Sequence, residues 1–236
     1  MKLCVTGTDT GVGKTVSSAA LATGYALAGL SVAVYKPVQT GVLGDQAGDI
    51  DEVRRLSAQV LGTNASTLSV SEGCRLREPM APRAAAAADN AVLPRLADHL
   101  ERLAELKAAV DVVIVEGAGG LLVELTEAGE TLADLCRAFE AELVVVTRPD
   151  LGTLNHTALT LMAARSLALR LAGVLIGSWP RLPEALHLSN RSTLMQSCAA
   201  ADIPWLGELL EHSGLAAGFT PEVINSVVLP RASAAV

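Results

Sequence analysis

The chain has 236 residues, half of them hydrophobic, with 25 acidic against 18 basic side chains and a formal net charge of -7. That length fits a single α/β domain, and a chain with 3% aromatic residues and a negative balance lacks the stacking platforms and basic stripe that nucleic acid requires. No apolar run approaches the roughly 18 residues of a membrane span, and Gly7 arrives too early for the apolar core of a secretory signal, so the chain reads as soluble and cytoplasmic, with no membrane partner.

In chain order, residues 3–6 form an apolar run of strand length, residues 14–28 carry a helical period, and residues 31–35 form a second strand. Residues 50–61 read as the next helix. The stretch 62–91 has no clean period and reads as an irregular excursion of the same domain. Residues 93–108, 154–169 and 184–201 place apolar side chains three and four apart, and between them the aliphatic runs 112–115, 143–147 and 173–176 read as strands. Strand-length segments alternating with helical ones predict an α/β fold, a mostly parallel sheet covered by helices on both faces. Residues 1–231 are read as one domain and 232–236 as a flexible tail. The cysteines at 4, 74, 136 and 198 form no C-x-x-C pair and read as buried thiols, neither a disulfide framework nor a zinc site.

Directly after the first strand comes Gly7-Thr8-Asp9-Thr10-Gly11-Val12-Gly13-Lys14-Thr15, and then a helix. Glycines free backbone N–H groups to converge on phosphate oxygens, the helix N-terminus contributes a favourable dipole, and the lysine neutralises β/γ charge. Thr15 offers its hydroxyl to Mg2+. The spacing departs from the strict G-x-x-x-x-G-K-[ST] pattern, because Thr8 stands six positions before Lys14 and the glycine lies one residue earlier. The fold is therefore expected to be P-loop NTPase-like.

Three charged residues are candidates to join that loop. Glu116 is the first charge after the buried run 112–115, and in open α/β sheets ligands sit outside the carboxyl ends of strands. Gly117, Ala118, Gly119 and Gly120 follow it and permit close backbone approach. Asp49 opens a helix, and by itself reads as a plain N-cap. Asp51 and Glu52 are expected to point elsewhere. Lys36, in Tyr35-Lys36-Pro37-Val38-Gln39-Thr40-Gly41, ends the second strand and can supply a second cation beside a transferring phosphoryl group. Further on, Leu151-Gly152-Thr153-Leu154-Asn155-His156 starts a helix whose free N–H groups suit a carboxylate, or equally an ordinary cap.

These segments, with Glu78-Pro79-Met80-Ala81-Pro82, occur in the order found in ATP-dependent dethiobiotin synthetases, which the chain resembles over nearly its whole length. The resemblance implies a homodimer that closes the ureido ring of dethiobiotin from 7,8-diaminononanoate, CO2 and ATP with Mg2+, in biotin biosynthesis. It implies catalytic roles for Lys36, on the carbamate, and Lys14, and a metal held by Thr15, Asp49 and Glu116. It assigns the nucleotide to Thr10, Gly11, Val12, Gly13, Lys14, Thr15, Val16, Asp49, Glu116, Gly117, Ala118, Gly119, Gly177 and Ser178. Thr10, Lys36 and Thr40 are expected on the substrate, joined from the partner subunit by the helix start at Gly152, Thr153 and Asn155, which receives its distal carboxylate.

Two departures bear on the nucleotide. Gly177-Ser178-Trp179-Pro180 stands where the family often reads adenine with asparagine, so base recognition falls to backbone groups, Ser178 or the segment near Leu210 and Glu211, and Gly11 lacks an acidic side chain some members carry. A partitioning ATPase would have a lysine where this chain has Asp9. A GTP switch is suggested by Thr147-Arg148-Pro149-Asp150, but arginine replaces the lysine of its guanine reader, and an amidotransferase would need more length.

Overall fold

The β-branched runs are buried on both faces, as a parallel sheet sandwiched between helices demands. A computed structural model describes residues 1–214 and 218–231. Their elements are β1 (Lys2–Gly7), α1 (Lys14–Leu27), β2 (Val32–Gln39), α2 (Asp49–Leu61), a 3-10 turn (Gly62–Thr67), β3 (Leu68–Arg75), α3 (Pro82–Asp89), α4 (Leu96–Ala109), β4 (Val112–Gly120), α5 (Leu132–Ala138), β5 (Glu142–Thr147), α6 (Thr153–Ser166), β6 (Arg170–Trp179), α7 (Ala185–Ala200), β7 (Trp205–Leu210) and α8 (Pro221–Asn225). The strands form one sheet in the order β3-β2-β4-β1-β5-β6-β7, with every neighbouring pair parallel. The expected α/β fold is the one observed. The residues expected to form a tail, 232–236, lie outside the described residues.

Side chains alternate between two cores. Cys4, Tyr35, Val113 and Val115 face one side with Leu103 and Leu135, while Leu3, Val34, Val112 and Ile114 face the other with Leu21 and Leu56. Helix α1 is buried along most of its length because α2 and the C-terminal segment cover it; a Cβ at Gly24 would touch Leu229 and Ile224. Each fully buried leucine of this kind contributes about 2 kcal/mol. Since all strands run the same way, the carboxyl ends of β1, β2, β4 and β5 share one rim.

The stretch 62–91 is more ordered than its sequence suggests. β3 is an edge strand of sequence LSVSEGCR, half exposed throughout, so it shows no apolar run and gains its order from pairing with β2. α3 takes Pro82 at its first turn and ends on Asn90 in a left-handed conformation. β7 and the short α5 also went unanticipated. β7 is covered by an antiparallel bridge from Val227 to Gly207, with the Val228 N–H donating to the Leu206 carbonyl at 2.8 Å.

Candidate active site

Gly13 begins α1 at φ 94 and Gly11 sits at φ 70, conformations that L side chains avoid, so the loop between β1 and α1 can wrap tightly enough to aim N–H groups at one point. Gly7 is equally constrained: a Cβ there would lie 2.9 Å from Lys14 Nζ. The Lys14 ammonium donates to the Asp9 carbonyl at 3.0 Å, across the mouth of the loop. A cavity of about 390 Å3 opens above it, lined by Thr10, Gly11, Gly13, Lys14, Thr15, Val16, Lys36, Thr40, Asp49, Ala118 and Gly119, and also by Val38 and Gln39.

Lys36, 3% exposed, occupies the floor of this cavity. Its ammonium lies 2.5 Å from Asp49 Oδ2 and 3.0 Å from Glu116 Oε1, and donates to the Gly117 carbonyl at 3.1 Å. Burial pulls its pKa down, but the Glu116 and Asp49 carboxylates more than offset this and the net direction is up, so Lys36 stays charged. Lys14 moves the other way: burial, then repulsion from Lys36, lowers it against the pull of Glu116, Asp49 and Asp9. The Thr15 hydroxyl donates to the same Glu116 Oε1 at 3.0 Å, while Glu116 Oε2 is buried with no hydrogen-bond partner. Two lysines, two carboxylates and a hydroxyl thus converge within one rim.

That oxygen set suits Mg2+, which binds through one or two carboxylates plus phosphates and water and needs no all-protein cage. The unpartnered Glu116 Oε2 is the specific observation that fits. Among the described residues no group of three His, Cys, Asp or Glu stands ready for a metal.

Gly177 and the loop are in direct contact: a Cβ on Gly177 would strike the Val12 carbonyl and lie 3.1 Å from Gly13 Cα. Val12 itself is 1% exposed and packs in the core, offering only backbone. Thr10 and Gly11 also border a second cavity of about 250 Å3, lined by Ser178, Pro180, Glu211, Arg148, Pro149, Asp150 and His187. Arg148 reaches toward Asp9 at 3.6 Å and toward His156 Nδ1 at 3.5 Å.

Sequence reasoning missed Gln39. Its buried carboxamide accepts the Asp49 N–H at 2.8 Å and donates to the Thr40 carbonyl at 2.9 Å, which pins the start of α2 and aims Asp49 at Lys36. A polar side chain inside an otherwise buried strand was the available signal. Asp51 is turned away onto the Gly48 N–H at 2.9 Å and Arg75 at 3.0 Å, and Glu52 pairs with Arg55.

The start of α6 differs from expectation in one residue. Thr153 is fully buried, its hydroxyl 2.7 Å from Thr147 Oγ1 and its N–H donating to the Asp150 carbonyl at 3.1 Å, so both its groups are spent internally and it does not offer the substrate contact expected of it. The His156 N–H donates to the Gly152 carbonyl at 3.1 Å. Of the first-turn donors this leaves Leu154 and the exposed Asn155. Gly152, Thr153 and Asn155 border neither of these two cavities.

A family model described as an AAA domain matches residues 1–216. The fold is shared with MinD of Aquifex aeolicus (14% identical, TM-score 0.52, covering 92% of this chain and 85% of that one) and with septum site-determining protein MinD of Pyrococcus horikoshii OT3, complexed with Mg-ADP (14%, TM-score 0.53, 96% and 86%). Fold and loop together define a P-loop nucleotide-binding protein. The ATP-dependent dethiobiotin synthetase BioD of Mycobacterium avium (strain 104) is 50% identical over 192 residues, 81% of each chain, and that of Rhodococcus jostii (strain RHA1) is 46% identical over 212 residues, 90% of this chain and 87% of the relative. This chain belongs to the ATP-dependent dethiobiotin synthetase family.

Proposed function

We propose that the chain closes 7,8-diaminononanoate with CO2 into dethiobiotin at the expense of ATP, as a cytoplasmic homodimer of biotin biosynthesis. One substrate amine adds CO2 and loses a proton to become a carbamate. A carbamate oxygen then attacks the γ-phosphorus and releases ADP, and the second amine attacks the resulting carbamic-phosphoric anhydride at carbon, forming the cyclic urea and expelling phosphate. The observation that carries this reading is the pairing of Lys14 and Lys36 across one cavity, with Lys36 held between Asp49 and Glu116.

Carbamate and triphosphate are both anions, and two charges 4 Å apart repel by about 4 kcal/mol at an effective dielectric near 20. The chain answers with cations fixed in advance. Lys14, lowered by burial and by Lys36, gains an anionic partner when phosphate arrives, whose attraction opposes both effects. Lys36 remains protonated through the cycle and steadies the carbamate oxygen, with Thr10 and Thr40 supplying hydroxyls at the cavity wall. Thr15, Asp49 and Glu116 would hold Mg2+, which supplies further neutralisation of the phosphoryl oxygens. The backbone of Gly11 to Val16 and of Gly117 to Gly119 cradles the phosphates, while Gly177, Ser178 and Glu211 border the nucleoside end.

The N–H groups at the start of α6, those of Gly152, Leu154 and Asn155 among them, receive the distal carboxylate of the partner subunit's substrate. Supporting a dimer, Leu151, Leu154, Leu159 and Met162 of the α6 region and Leu186, Leu188 and Met195 of α7 are exposed apolar side chains on neighbouring helices. Phosphate release measured with ATP, GTP and CTP should depend on added diaminononanoate and bicarbonate and yield dethiobiotin by mass spectrometry. Hydrolysis indifferent to the diamine would defeat the reading in favour of a switch.

A further inference from the structure

Beneath the phosphate loop lies a knot of hydroxyls that the chemistry above does not use. Thr147, the last residue of β5, is fully buried, and its Oγ1 lies 2.7 Å from Thr153 Oγ1, 2.8 Å from Thr157 Oγ1 and 3.4 Å from Thr8 Oγ1. A hydroxyl has one proton and two lone pairs, so Thr147 can serve all three neighbours at once, donating to one and accepting from two. Thr153 and Thr157 are themselves buried, and among the described residues their hydroxyls meet no other partner. Without the Thr147 oxygen both lose the partner they have, and the side-chain tie between β5 and the first two turns of α6 goes with it.

We propose that Thr147 is a positioning residue that fixes the first turn of α6 for recognition of the substrate's distal carboxylate. The inference rests on the reading that this turn receives that carboxylate. Four polar atoms converge on the join between β5 and α6, and they clamp the two turns of helix that begin at the carboxylate-facing end. The phosphate loop depends on the knot far less. Thr8 contributes its longest bond, and its N–H is separately anchored on the Val146 carbonyl at 2.9 Å. Losing the Thr147 hydroxyl should therefore be felt by the diamine acid and not by the nucleotide.

The test is steady-state kinetics of the dimeric enzyme with diaminononanoate, with its methyl ester, and with varied ATP. Thr147→Val keeps the shape and deletes the oxygen. It should raise KM for diaminononanoate about tenfold while KM for ATP and for the ester move by less than about twofold, and Thr147→Ser should restore the parent values. An unchanged KM for the acid, or equal rises for acid, ester and ATP, would overturn the proposal. Should Thr147→Val fail to fold, Thr153→Ala removes the helix end of the same bond and must show the same split. The parent enzyme separates the two levels: if its phosphate release ignores the diamine, the functional reading fails, whereas a diamine-dependent parent with an insensitive Thr147→Val sinks only this inference.

Discussion

Replacing Lys36 by methionine keeps an unbranched stem in the cavity floor and deletes only the ammonium. That ammonium is 2.5 Å from Asp49 Oδ2 and 3.0 Å from Glu116 Oε1, and the Glu116 side chain is 1% exposed. With an effective dielectric near 20, each attraction is about 6 kcal/mol, and the cost of drying both ions cancels much of it. What remains after removing one partner of a buried pair is roughly 3–5 kcal/mol, because the orphaned carboxylate is left charged and dry. Glu116 is poorly placed to bear that, since its Oε2 already lacks a partner. For a domain of this size each kcal/mol moves Tm by about 2–4 °C, so Lys36→Met should melt roughly 6–20 °C below the parent. Because the folded-state pKa of Lys36 is raised above 10.5, its contribution is fully present below that pH and is lost only as pH rises through the higher folded value. Calorimetry near pH 8 therefore reads the full effect. Adding Glu116→Gln removes the stranded charge and should recover most of the loss, giving a double variant more stable than Lys36→Met alone. A Lys36→Met protein that melts with the parent, or a double variant that melts lower still, would refute the electrostatic account of this floor.

Three further outcomes are expected. Gly177→Ala should weaken nucleotide binding by at least about tenfold in titration calorimetry, because the new methyl group would displace Val12 and Gly13 of the phosphate loop. If the proposed dimer forms through the exposed apolar face of α6, Met162→Glu should yield monomers in sedimentation where the parent sediments as a dimer, and raise KM for the diamine acid; a variant that stays dimeric would place the interface elsewhere. Burial lowers the pKa of His99, whose Nδ1 is 2.7 Å from the Tyr35 hydroxyl. The stability it contributes is complete above 6.5 and disappears as pH falls through its lower folded value, so His99→Phe should show a flatter fall of Tm between about pH 7 and 5 than the parent does.

The central strands were legible because burial on both faces writes itself as unbroken aliphatic runs, as in residues 112–115 and 143–147. β3 was not, since an edge strand with Ser69, Ser71, Glu72 and Gly73 obtains its order from a neighbour far along the chain. In the site, Lys14, Thr15 and Lys36 could be named from local spacing, because a loop and a strand end fix their direction. Gln39 and Thr147 could not. Their value lies in which atoms they meet, Asp49 N–H ten residues on and Thr153 across a turn, and spacing alone does not disclose such meetings. Thr153 shows the converse: a polar residue at a helix start invites assignment to a ligand, and its hydroxyl turned out to point into the protein.

The bridge from Val227 to Gly207 also limits how two copies can meet. It occupies the outer side of β7 with the chain's own C-terminal segment, and the opposite border, β3, carries the ion pair of Glu72 with Arg75. The first border is occupied and the second carries charge, both of which discourage another subunit from laying a strand there. An edge-to-edge continuation of the sheet is thereby disfavoured, and the proposed dimer is expected to bring helix against helix through the exposed apolar side chains of α6 and α7.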